Sequence, residues 1–405
     1  MYFGLNTFGT YFINDSEKPI QYGEINIINP ERQRLRGEMP KAGKECLPVF
    51  IGFCGTDYEL MKMGRKGALD SKFPEGEKRL INGHEGVVWV PDENRFAIVL
   101  IRGGDSADPT RFTEDEDYFE YGCDRADGLF CDRNYFNPDM LLNLSEKYNE
   151  IDKLPLSLAK KLVFSDPYAC AIFQHERMCD IGVAQNFRVE LAKKHCDEKT
   201  AKQLAYDSTF DKVVVFGLGT TGLFIAHQIH INHPDAKILF VARSSENSKK
   251  VKFAKEVTSA DYLSSDGMSE TDCAVAIKEK LGGTATVFVG ASGTDIEHRM
   301  AFEHGVLGCN GIYNSFSLGP KIKFDTMPFG FKNQIILASI NFTQKHMEQA
   351  ISILAESRFD ELVELISREE LADNPVNAYE NKIYCKGAPL KTAVIWNKEY
   401  IDMEK

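Results

Sequence analysis

Two rhythms divide the chain. From about residue 211, apolar positions come in short runs, each followed by a glycine turn or an amphipathic stretch. "KVVVFGLGTTGLFIAHQI" reads as an apolar strand, a glycine turn and a helix, and "AKILFVARS" as a second strand. "ENSKKVKFAKEV" predicts a helix, "TATVFVG" a third strand, "TDIEHRMAFEH" a helix, and "GVLGCNGIYNSF" and "QIILASIN" two more strands. Strands alternating with helices imply a parallel sheet with right-handed crossovers. Before that point the pattern is strand-like and broken by glycine, proline and acidic loops. "EINII", "LPVFIGF", "GVVWV" and "RFAIVLI" have strand length and strand composition. The polar stretch 103–134 has little periodicity and predicts loop, and 180–209 predicts a helical linker. "TQKHMEQAISILAES" predicts an amphipathic helix and "KTAVIW" a closing strand. The expected organisation is α/β: a mostly-β domain over 1–190, completed by 342–405, and a doubly wound parallel sheet over 191–341.

Bulk properties narrow the class. The chain has 405 residues, 43% hydrophobic and 27% charged, the balance of a soluble globular protein with sizeable cores. A net charge of −12 argues against a nucleic-acid surface, because phosphate backbones need a basic face. No run approaches the roughly 20 apolar residues that span a bilayer. The stretch "MYFGLNTFGTYFINDSEK" lacks a basic region followed by a continuous apolar core, so no signal peptide is read and a cytoplasmic location is expected. Ten scattered cysteines are too sparse for a disulfide scaffold. Only those with partners at ligand-like spacing bear on chemistry.

"VVVFGLGTTG" places Gly217, Gly219 and Gly222 in a G-x-G-x-x-G pattern between a strand and a helix, with Thr220 and Thr221 inside the turn. Such a turn lets the backbone approach a pyrophosphate at a helix N-terminus, so a dinucleotide is expected there. An NAD site usually has an acidic residue at the tip of the second strand; here Arg243, Ser244 and Ser245 occupy it. A guanidinium suits a 2′-phosphate, which favours NADP(H) over NAD(H). The competing reading of Arg243 is a solvated surface arginine.

"GFCGTDYEL" holds Cys54, and "NGHEG", thirty residues on, holds His84 and Glu85. Cys54 is open to three readings from the residues alone: a buried small side chain, a redox thiol, or one ligand of a metal shared with His84. A thiolate with an imidazole is zinc chemistry. "CGTD", then "GHE", then a separate nucleotide fingerprint resemble, in that order, the zinc-dependent medium-chain dehydrogenase/reductase (alcohol dehydrogenase-like) superfamily, over nearly the whole chain. "KNQIILASINFTQKHMEQAI" is similar to a segment of the glucose dehydrogenase branch, with Asn333, Ile336, Asn341, His346 and Ala350 in frame; Gln334 and Ala338 depart from it.

The resemblance implies a GroES-like mostly-β catalytic domain beside a Rossmann coenzyme domain. It implies that Cys54 and His84 ligate catalytic zinc, that Glu85 lies at the ion, and that Asp166 of "SDPYA" contacts it directly or through water. Thr56 would start proton removal from a substrate hydroxyl, Asp57 would accept the other N–H of His84, and Asn341 would face the nicotinamide. The implied reaction is hydride transfer between NADP(H) and a sugar or polyol hydroxyl or its carbonyl, in a homodimer or homotetramer. Cys170 stands where the branch commonly has an acidic residue touching sugar, so no particular sugar is implied. The rival readings are a zinc-free reductase and a non-catalytic NADPH-binding protein of the same fold. Relatives often carry a structural zinc lobe, C-x2-C-x2-C-x7-C. Here the frame is Asp117, Glu120, Cys123 and Cys131, which leaves open a second zinc or an acidic loop keeping two leftover thiols. His175 and Glu176 read as ordinary helix-face residues, and the histidines at 227, 230 and 233 as structural or solvated.

Overall fold

The computed structural model describes residues 5–13, 20–27, 43–57, 79–103, 119–144, 148, 151–317, 325–339, 341–370 and 389–403. The chain forms two compact units, Met1–Asp166 with Thr343–Lys405, and Pro167–Phe342. The first division falls at the start of the helix Ser165–Lys194, whose far end lies near the boundary of 190 read from the sequence.

The first unit is mostly β. Its main sheet runs in the order Leu141–Asn143, Arg95–Val99, Glu85–Val90, Lys44–Gly52, Lys391–Ile395, Ile366–Glu370, with Asn134–Phe136 also paired to Lys44–Gly52. All these pairs are antiparallel except the last two strands, which run parallel. A three-stranded antiparallel sheet, Ile20–Ile27, Leu5–Ile13 and Arg79–Ile81, joins the same core. "VVWV" and "AIV" are buried at every position, so their continuous apolar runs are those of strands covered on both faces.

The second unit is a six-stranded parallel sheet, ordered Asp261–Ser264, Lys237–Ala242, Lys212–Phe216, Ala285–Gly290, Leu307–Ser315, Ile335–Ala338. In chain order this is 3-2-1-4-5-6, the doubly wound Rossmann arrangement, with its topological switch between Lys212–Phe216 and Ala285–Gly290. The segment 180–209 is helical as expected: it completes Ser165–Lys194 and forms Glu198–Thr209.

The polar stretch 103–134 differs from its reading as loop. Its described part, Gly103 and 119–134, holds short strands, and residues 119–131 are all buried. The acids are buried because each meets a cation or backbone N–H. Asp127 takes Arg79 Nη1 at 2.6 Å and the Ile81 amide at 2.9 Å, and Glu120 takes Arg102 Nη2 at 3.2 Å. Local composition sees the carboxylates but not these distant partners.

Candidate functional site

Among the described residues, two groups of histidine, cysteine and acidic side chains converge closely enough to share an ion. The first is Cys54, His84 and Glu85, whose ligand atoms lie within 4.8 Å of one another. Strand pairing brings them together, since Glu85 stands opposite Gly52, two residues before Cys54. Across Gly52 on its other side lies Ala393, so Lys391 enters from the C-terminal strand. Lys391 Nζ pairs with Glu85 Oε2, both side chains almost fully buried. A side chain on residue 52 would meet Lys391 Cδ at 3.0 Å and Glu85 Oε2 at 3.4 Å, so glycine leaves the room this pair uses.

Asp57 has a different role from the one the resemblance implies. Its carboxylate accepts the backbone N–H of Cys54 at 2.9 Å and of Gly83 at 3.1 Å, tying together the two loops that present Cys54 and His84. His84 Nδ1 is buried and makes no hydrogen bond. Thr56 lies beside the thiol, its hydroxyl 3.8 Å from Cys54 Sγ.

Burial, reinforced by the Glu85 carboxylate, pushes the Cys54 thiol up. Burial alone pulls the His84 imidazole down, but the Cys54 sulfur and the Asp57 and Glu85 carboxylates lift it well above its usual range. A thiol, an imidazole and a carboxylate whose donor atoms converge fit a zinc ion by donor type and number.

Asp166 does not join the convergent group. Its Oδ2 faces Arg102 Nη1 at 3.4 Å, and the same guanidinium reaches Glu120. Burial raises the Asp166 carboxyl to about 6, with Arg102 and His84 opposing. For the second lobe, Asp117 lies outside the described residues, and Glu120 is held by Arg102. Among the described residues, Glu120, Cys123 and Cys131 form no convergent group.

The nucleotide fingerprint occupies the switch point of the parallel sheet. Gly217 has φ +114°, and a Cβ there would strike Ala291 C and Ser292 N at 2.6 and 2.7 Å. A Cβ on Gly222 would strike the Gly217 carbonyl at 2.2 Å. Gly219 differs: it N-caps the helix Thr220–Asn232 without a side-chain cap, and a Cβ there would meet nothing within 4 Å. That open approach to a helix N-terminus beginning at Thr220 and Thr221 suits a phosphate. Arg243 and Ser244 follow the second strand; Arg243 is exposed and, among the described residues, pairs with no carboxylate. The Tyr262 hydroxyl donates to the carbonyls of Ala242 and Ser244 at 3.0 and 2.7 Å, fixing that tip. Asn341 is buried. His346, in frame with the branch, caps a helix, its Nδ1 accepting the Thr343 amide at 2.9 Å.

The second convergent group is His175, Cys179 and His233, all buried in the Rossmann unit. Sequence reading set His175 aside as a helix-face residue and His233 as structural or solvated. The missed signal is the H-x3-C spacing within one helix, which puts both donors on one face. His227 is structural as expected, its Nδ1 2.6 Å from the Tyr168 hydroxyl. Burial and the neighbouring His233 hold His175 down to about 3, so it is neutral, and burial pushes the Cys179 thiol up to about 12.

No protein-family model matches the chain. It is 23% identical over 396 residues to the glucose 1-dehydrogenase of Thermoproteus tenax, covering 92% of this chain and 95% of that protein. The glucose dehydrogenase of Haloferax mediterranei, solved with NADP, Zn and gluconolactone, superposes with a TM-score of 0.65 at 17% identity, over 96% of this chain and 99% of that one. The 2R,3R-butanediol dehydrogenase of Bacillus subtilis superposes with a TM-score of 0.68 at 17% identity, over 96% of this chain and 100% of that one. These likenesses bear out the resemblance carried by "CGTD", "GHE" and the glycine fingerprint: the chain has the fold of the medium-chain dehydrogenase/reductase superfamily, with glucose dehydrogenases among the proteins it is similar to.

Proposed function

We propose that the chain is a zinc-dependent oxidoreductase that moves hydride between NADP(H) and a hydroxyl-bearing carbon of a sugar or polyol. The observation that carries this reading is the convergence of Cys54, His84 and Glu85 in a chain that also carries an open dinucleotide fingerprint. Bound zinc supplies Lewis acidity that lowers the pKa of a substrate hydroxyl or polarises its carbonyl, and the nicotinamide accepts or gives the hydride. Cys54 and His84 hold the cation, and Glu85 is the third donor, with Lys391 neutralising its charge when it is not ligating. Asp57 fixes both ligand-bearing loops through their backbone. Thr56, beside the thiol, receives the proton of the substrate hydroxyl and passes it outward. Asp166 is committed to Arg102 and takes no direct ligand role.

Gly217, Gly219, Thr220, Thr221 and Gly222 cradle the pyrophosphate, Arg243 and Ser244 take the 2′-phosphate, and Asn341 orients the nicotinamide. Support for the sugar class and for NADP comes from the relatives' substrates and ligands as named above. Ile335–Ala338 is an edge strand, and Met327 and Phe331 just before it are 65% and 82% exposed, which supports pairing of two copies in a homodimer or homotetramer. Among the described residues no helix is long and apolar enough to cross a membrane, in keeping with a cytoplasmic location.

The test is zinc quantification with an aldose and polyol panel, run with NADP and NAD in parallel. Cys54→Ala is expected to lose the zinc equivalent held at Cys54 and His84, and at least a thousandfold in kcat, while NADPH binding, read by fluorescence, survives. Full activity in that variant overturns the reading.

A further inference from the structure

We infer that His175, Cys179 and His233 form a second metal site, for a zinc-class divalent cation, inside the Rossmann unit. His175 and Cys179 sit one turn apart on the helix Ser165–Lys194, and His233 follows the last residue of the fingerprint helix Thr220–Asn232. Their donor atoms face one another. His175 Nε2 and His233 Nε2 are 3.1 Å apart, and Cys179 Sγ lies 3.5 Å from the first and 3.8 Å from the second.

A tetrahedral zinc ion dictates such a triangle. With Zn–N of about 2.05 Å and Zn–S of about 2.3 Å, two nitrogens stand about 3.3 Å apart, and a nitrogen and a sulfur about 3.6 Å. All three measured edges lie close to those values. A hydrogen-bonded triad of the same residues needs only two of these contacts, whereas an ion requires all three edges to be short together. The donor set, two imidazoles and a thiol with no carboxylate, suits zinc over magnesium or calcium.

Aromatic rings shelter the three donors. Phe210 stacks on His175 with centroids 5.4 Å apart and lies 4.2 Å from the His233 ring, and Tyr206 covers His233 at 4.7 Å. As the cation binds, the thiol proton leaves to solvent, and water completes the fourth position. The ion would pin the long helix to the far end of the fingerprint helix. Nothing in this assignment depends on the hydride-transfer reading.

The experiment uses the full chain, stripped of metal and reloaded with Zn2+ or Co2+ alone, as wild type, Cys54→Ser, Cys179→Ser and the double variant. Cys54→Ser is expected to keep one equivalent of metal and, with Co2+, the near-ultraviolet thiolate charge-transfer band and intense visible bands of a tetrahedral site. Cys179→Ser is expected to lose that equivalent, and the double variant to lose the band altogether. His233→Gln replaces Cys179→Ser should the latter not fold. A Cys54→Ser chain that shows no thiolate-bound cobalt overturns the proposal, as does a Cys179→Ser chain with undiminished metal content. Metal retained in Cys54→Ser but lost in Cys179→Ser, without activity in either wild type or variants, would instead sink the hydride-transfer reading and leave this site standing.

Discussion

The two units bury polar groups by opposite means. In the first, most buried acids meet cations: Glu85 with Lys391, Asp127 with Arg79, and Asp166 and Glu120 with Arg102, while Asp57 is held by backbone amides. In the second, buried polar groups are largely neutral or held by neutral donors. His175 and His233 face each other, Tyr168 bridges His227 and Gln228, and Glu297 accepts from Ser292, Ser317 and Tyr313. The first unit thus places fixed charges around the point where Cys54 and His84 meet, an environment that can stabilise changing charge. The second holds its buried polar groups with hydroxyls and neutral rings, and its glycine fingerprint leaves a helix N-terminus open, where a phosphate would bring its own charge.

Three measurements press on this contrast. The largest effect is expected at Lys391. Lys391→Met strands a buried carboxylate and should cost about 3–5 kcal/mol in urea unfolding of the metal-free chain, with Glu85→Gln restoring most of it. A cost under about 1 kcal/mol would mean that the first unit does not rely on its buried charges.

Next comes Arg243 in the second unit, exposed past the second strand and proposed to take the 2′-phosphate. Arg243→Ala should raise KM for NADP about ten- to hundredfold and leave NAD unchanged. An equal effect on both coenzymes would remove the phosphate role.

The smallest effect is at Glu297. Burial raises its carboxyl above the usual value, with the Ser292, Ser317 and Tyr313 donors opposing. Because the folded pKa is the higher, its contribution is fully present below the unfolded value and is lost as pH rises through the folded one. Glu297→Gln can keep Oε1 toward the Ser292 donors and turn Nε2 toward the Ser317 and Tyr313 hydroxyls. Its melting temperature in neutral buffer should match or exceed wild type, and the decline above the usual carboxylate range should flatten. A loss of about 2 kcal/mol or more would show an ionised Glu297 acting like the acids of the first unit.

What was legible in the sequence follows from how far apart the partners are. Five of the six strands of the parallel sheet carry their own apolar run and read directly; Asp261–Ser264, short and only partly buried, and the helix Glu270–Leu281 do not. "CGTD" and "GHE" are short motifs whose residues converge across one strand pair. Lys391 was not legible, because it lies 306 positions from Glu85 and reaches it only through strand insertion. The burial of 119–131 was hidden for the same reason, since Asp127 and Glu120 are neutralised by Arg79 and Arg102. His233 reads as a solvated residue past a helix end until Phe210 and Tyr206 close over it.

The position of Lys391–Ile395, between Lys44–Gly52 and Ile366–Glu370 in the main sheet, has a consequence for biosynthesis. A growing polypeptide can complete the interior segment Pro167–Phe342 on the ribosome while the earlier-made residues still lack the strand that fills their sheet. The usual order, in which the N-terminal portion matures first, is therefore inverted. Nascent chains stalled before residue 391 should offer chaperones an unfinished sheet beside a finished nucleotide fold.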